Sequence, residues 1–75
     1  MQQKIRELLE DALPLVDFDS DFLFNELDSL GIAQILMILS DHYGIKLDHA
    51  DVTPRNFKTI ESLAQLVQRK LNENA

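Results

Sequence analysis

The chain has 75 residues and no cysteine, with 13 acidic against 7 basic side chains and a net charge of -6. A chain this short forms one small domain, residues 1–75, that buries only roughly 60% of its unfolded surface and leaves no room for a deep substrate cavity. The missing cysteines exclude disulfides and thiolate metal sites, and the acidic balance disfavours nucleic acid as a partner.

The apolar content of 45% is that of a globular chain rather than a disordered one. The longest unbroken apolar run, residues 35–39, is far too short to cross a bilayer. No apolar signal core follows Lys4 and Arg6, so the expected location is the cytoplasm, without membrane insertion. From Glu7 to Asp28 the chain carries eight acids and neither Lys nor Arg. Such a face attracts basic protein surfaces, and it also keeps a small protein soluble.

The first helix is expected over residues 2–13, because Ile5, Leu8, Leu9 and Ala12 recur at i, i+3, i+4 and i+7. Pro14 disfavours helical geometry at Leu13 and ends it. Residues 15–27 then form a connection of unusual length. Leu15, Val16, Phe18, Phe22, Leu23 and Phe24 are its expected anchors across the helices. Asp17, Asp19 and Asp21 alternate like the start of an EF-hand loop, but Phe22 stands where the sharp turn needs glycine. Asp28 stands where a bidentate glutamate is required, so a solvated acidic turn is expected there instead.

Asp28 and Ser29 are both residues that cap helices, since a short side-chain oxygen accepts from an unpaired first-turn amide. The second helix is expected from about residue 30 to 43. Ile32, Ile35, Leu36, Leu39 and Tyr43 form its core stripe. Leu30, Ala33 and Met37 fall outside that stripe at i, i+3 and i+7, beside Ser29. They read as a ridge for a partner, Met37 being adaptable enough for several, although plain core packing accounts for the same spacing. Gly44 closes the helix in the left-handed conformation, with Ile45 after it. His42 and His49 stand seven apart with no other strong ligand pattern, so no metal site is expected.

Residues 46–52 read as a short polar connection. Thr53 and Pro54 suit the cap and first position of a brief helix reaching residue 58, anchored by Phe57. Thr59 then caps the last helix, whose stripe is Ile60, Leu63, Ala64, Val67 and Leu71, with residues 72–75 fraying. The expected fold is all-α, an irregular four-helix bundle of three main helices and one short one, with a long loop between the first two.

Ser29 makes a poor nucleophile in such a fold. His42 lies thirteen positions along the same helix, about 20 Å away at 1.5 Å per residue, and His49 lies beyond it. The chain is therefore expected to be no enzyme, and any thioester chemistry needs a thiol from outside the polypeptide.

Asp28-Ser29-Leu30, the apolar helix ending in Tyr43-Gly44-Ile45, then Thr53-Pro54 and a closing amphipathic helix together resemble acyl and peptidyl carrier proteins. The resemblance covers nearly the whole chain. It implies that Ser29 receives a 4′-phosphopantetheine arm through a phosphodiester, that Asp28 assists the transferase and its metal ion, and that the arm's thiol carries acyl groups. It implies a monomer as partner of a phosphopantetheinyl transferase and of loading and biosynthetic enzymes, docking through Leu30, Ala33, Met37 and Asp41. Apolar acyl chains could fold back between the helices of such a bundle. Glu26 stands where the fatty-acid type has glycine, and Gly31 where an acid is common. Gln34, Ser40 and His42 replace glutamates, leaving Asp41 as the acid of this helix. In these respects the chain resembles stand-alone carriers that load amino acids, D-alanyl carriers among them. The reading from another class is an unmodified helical interaction domain in which Ser29 is only a cap.

Overall fold

The computed structural model describes residues 1–73, and all the secondary structure among them is helical. Three α-helices, α1 (Gln2–Ala12), α2 (Ser29–Tyr43) and α3 (Ile60–Glu73), pack each against the other two. Two long connections join them, and each carries one 3-10 turn, at Leu23–Glu26 and at His49–Asp51. The core follows from the helical period. Ile5 and Leu9 on α1, Ile35 and Leu39 on α2, and Leu63 and Val67 on α3 are three pairs spaced four apart, each on one face, and all six are fully enclosed. Phe57, from the second connection, is enclosed with them.

Helix α1 ends at Ala12 rather than Leu13, which serves as the cap residue ahead of Pro14. Ala12, expected in the apolar stripe, is exposed, and Leu13 packs against the core in its place. Pro14 and Leu15 occupy the tip of a turn closed by the Val16 amide donating to the Leu13 carbonyl at 3.2 Å. That tip turns Leu15 outward, 99% exposed, so it is no anchor. Phe22 is also exposed and stacks on Phe24, ring centres 6.2 Å apart. Phe18 and Leu23 are the buried anchors, with Val16, Phe24 and Leu27 packed at the margin. The Leu23 amide donates to the Lys58 carbonyl at 2.8 Å, which ties the first connection to the segment that leads into α3.

The expected short helix over residues 54–58 does not form, so the architecture is three helices with 3-10 turns rather than a four-helix bundle. Thr53 does act like a cap: its Oγ1 accepts from the Asn56 amide at 3.0 Å and its carbonyl accepts from Phe57 at 3.0 Å. The next hydrogen bonds go elsewhere. The Asn56 carbonyl accepts from Ser62 Oγ at 2.8 Å, its Nδ2 donates to the Asp51 carbonyl at 2.9 Å, and its Oδ1 accepts from Arg69 at 2.8 Å. Helix propagation over five residues is weaker than these tertiary ties. The 46–52 connection is likewise more ordered than expected, because Asp48 and Asp51 form a capping box around the 3-10 turn.

Thr59 caps α3 as expected. Its Oγ1 accepts from the Ser62 amide at 3.1 Å while Ser62 Oγ accepts from the Thr59 amide at 2.9 Å. Leu66 is buried although it lies outside the expected stripe, whereas Leu71 is only half-buried. Asn72 and Glu73 are helical rather than frayed, and residues 74–75 lie outside the described residues.

Candidate functional site

The head of α2 is set by Asp28. Its Oδ1 accepts from the Gly31 amide at 2.7 Å and its carbonyl accepts from Ile32 at 3.0 Å. Asp28 alone is therefore the cap, and Ser29 is the first helical residue rather than a second capping oxygen. Ser29 is exposed, in the turn whose leading amides have no intrahelical acceptor. Unpaired amides and the positive end of the helix dipole favour an anion at that place. A phosphodiester on the Ser29 hydroxyl fits there without displacing any core side chain.

Of the apolar residues outside the expected stripe, Leu30, Ala33 and Met37 stay uncovered, whereas Ile38 is half-buried and packs against the core. Leu30 is 68% and Met37 59% exposed, and Ala33 and Asp41 are exposed along the same helix. Ile35, Leu36 and Leu39 are buried, while Ile32 and Tyr43 are half-buried, so the division into a core stripe and an outer ridge holds. The far end closes at Gly44, φ 64° and ψ 38°, whose amide donates to the Ser40 carbonyl. That left-handed geometry is open to glycine at little steric cost.

The histidines stand far from the site. His42 is exposed in the last turn of α2, its ring edge-on to Tyr43 at 4.8 Å, and His49 is exposed in the second 3-10 turn. An unbroken helix separates His42 from Ser29, so that imidazole does not reach the hydroxyl. Among the described residues no cluster of His, Cys, Asp and Glu is arranged to hold a metal ion. Asp17 and Ser20 cap local turns, and Asp19 pairs with Arg6 at 2.9 Å, which is a solvated acidic turn rather than a calcium loop.

The spacing of residues misses one feature beside Ser29. An open groove of about 450 Å³ runs between the first connection and the head of α2. Leu13, Val16 and Leu27 come from the connection, and Leu30, Gly31 and Gln34 from the helix. The one sequence signal was Gly31, a glycine inside a helix, where it costs about 1 kcal/mol relative to alanine. A Cβ there would stand 3.2 Å from Asp28 Oδ1, a tight approach to the cap, and 3.4 Å from Leu27, an ordinary contact.

Compared with known proteins, residues 2–68 match the family described as "Phosphopantetheine attachment site". The chain belongs to that family. Its cofactor is 4′-phosphopantetheine, covalently attached. This phosphopantetheine-attachment chain is also similar in structure to a holo acyl carrier protein from Nitrosomonas europaea, determined by solution NMR. The TM-score is 0.74 at 28% identity, covering 95% of each chain. No curated protein sequence gives a significant match. As a carrier of this type it works with a phosphopantetheinyl transferase and with biosynthetic enzymes. No helix among the described residues is long and apolar enough to cross a membrane.

Proposed function

We propose that this chain is an acyl carrier protein whose Ser29 bears the arm and which presents thioester-bound intermediates to successive enzymes of fatty acid, polyketide or related biosynthesis. The observation that carries the reading is the exposed Ser29 hydroxyl in the capped first turn of α2, directly above an uncovered apolar ridge. When bound, the arm supplies the thiol that holds the cargo. The polypeptide supplies position. Asp28 holds the first turn in shape, so that the hydroxyl projects to solvent at a defined place, and its carboxylate assists the transferase. Leu30, Ala33 and Met37, with Asp41 further along, form the docking face. Tethering raises the local concentration of the intermediate to the millimolar range at each docked enzyme. A small interface with acidic steering suits weak, reversible visits. The chain acts as a shuttle in this reading, and its partners do the catalysis.

A second reading concerns cargo. Gly31, and the sparse acids on α2, support a stand-alone aminoacyl or D-alanyl carrier. Incubation with a phosphopantetheinyl transferase and coenzyme A tests attachment. The expected result is a mass gain of one phosphopantetheinyl group, absent in Ser29→Ala. An unchanged mass would favour an unmodified interaction domain. Mass spectrometry of the protein from its own host then weighs arm and cargo together.

A further inference from the structure

The chain has no cysteine and two methionines, Met1 and Met37, so its own sulfur chemistry is confined to two thioethers. Met1 precedes α1 at the N-terminus, whereas Met37 sits in the middle of α2. Met37 is 59% exposed and takes no part in the buried core. The exposed residues one turn to either side are Ala33, which continues the apolar surface toward Leu30, and Asp41. A leucine at residue 37 would offer a partner a similar apolar contact with no oxidisable atom. The thioether, held in solvent on a regular helix, is open to peroxide.

Resting on the docking face proposed above, we infer that Met37 is a reversible oxidation site through which hydrogen peroxide weakens partner docking. A sulfur lone pair attacks one peroxide oxygen. The S–O bond forms as the O–O bond breaks, and a proton shift releases water. Sulfur loses two electrons and the peroxide gains them. The sulfoxide is polar and accepts hydrogen bonds, where the thioether was apolar. On the free carrier water satisfies the new oxygen, because the side chain is exposed, and the core does not feel it. In an apolar partner pocket the same oxygen loses its water and gains no donor in return. A methionine sulfoxide reductase restores the thioether: a dithiol supplies two electrons and becomes a disulfide, and the oxygen leaves as water.

The test uses the apo protein, in which no cysteine or arm thiol competes for the peroxide. After peroxide treatment and removal of the excess with catalase, peptide mass spectrometry locates the added oxygen. The kcat/KM is then measured with a phosphopantetheinyl transferase and coenzyme A. The expected result is one oxygen on Met37, a fall in kcat/KM of at least fivefold with the thermal midpoint unchanged, and recovery after treatment with the reductase. Met37→Leu retains Met1, and its kcat/KM should be the same before and after peroxide. A peroxide-dependent loss in that variant, a midpoint lowered by oxidation, absent recovery or a Met37 that stays unoxidised each overturn the inference. Oxidation of Met37 without effect, where Met37→Glu slows transfer, overturns it too but leaves the docking face. If neither change slows transfer, or the parent accepts no arm, the docking face falls and the inference with it.

Discussion

The Asp28 carboxylate accepts from the Gly31 amide at 2.7 Å, across the turn that presents Ser29. One side chain thus fixes the geometry of the first turn of α2 and contributes charge beside it, and the two roles can be separated. Asp28→Ala removes the cap and should cost about 1 kcal/mol in urea unfolding. Asp28→Asn keeps a capping oxygen and should stay within about 0.5 kcal/mol of the parent. If the carboxylate assists modification, both variants slow arm transfer, and Asn does so without a loss of stability. Equal transfer rates in Asp28→Asn and the parent would confine Asp28 to capping.

Gly44 offers a cleaner measure of backbone cost. A Cβ there meets nothing within 4 Å, so Gly44→Ala changes only the energy of a left-handed conformation. The expected loss is about 1–2 kcal/mol, read as a lower urea midpoint with an unchanged slope. Arm transfer to Ser29, at the other end of α2, should be unaffected.

The docking ridge should be separable from stability. Met37 is 59% exposed, so Met37→Glu should move the unfolding free energy by less than about 0.5 kcal/mol. As a central apolar contact, its replacement should lower kcat/KM of a loading enzyme by about fivefold to tenfold, corresponding to about 1–1.4 kcal/mol of binding. An unchanged kcat/KM would move the partner surface off this ridge.

Alkaline pH should loosen the second connection and the end of α2. The hydrogen bond from Lys70 to Asp51, 3.1 Å, holds the lysine above its ordinary value. Burial raises the Tyr43 hydroxyl, which is enclosed without a hydrogen-bond partner. For both groups the folded value exceeds the unfolded one. The Lys70 pair is therefore fully stabilising below about pH 10 and is lost as pH rises through the folded value, while ionising the buried Tyr43 hydroxyl in the same range costs the folded state. Tyr43→Phe removes a hydroxyl that has no partner and should raise neutral-pH stability by up to about 1 kcal/mol. It should also reduce the alkaline loss, and a fall in the thermal midpoint at pH 7 would contradict this account.

Much of this protein was legible in its residues because helices write their burial at a fixed period. The stripes of Ile5 and Leu9, of Ile35 and Leu39, and of Leu63 and Val67 are local patterns, and the folded core uses them as spaced. The caps at Asp28, Thr59 and Gly44 were also readable, since each depends on a side chain or a glycine within a few residues of the bond it makes. The same holds for the exposed serine and the ridge beneath it.

What lay beyond the sequence is what distant residues do to one another. Leu15 and Phe22 resembled Phe18 and Leu23 as apolar residues in a loop, and only the turn at Pro14 and the Leu23–Lys58 bond decided which of them faced inward. Residues 54–58 carried a sound helix start, yet Ser62 and Arg69 drew Asn56 into contacts that a five-residue helix could not outweigh. The groove beside Ser29 joins Leu13 and Val16 to Gln34 across an intervening chain reversal, and no spacing rule connects them. Short-range chemistry determined the helices and the exposed Ser29 at the head of α2, whereas long-range packing decided how the connections fold and what surrounds that residue.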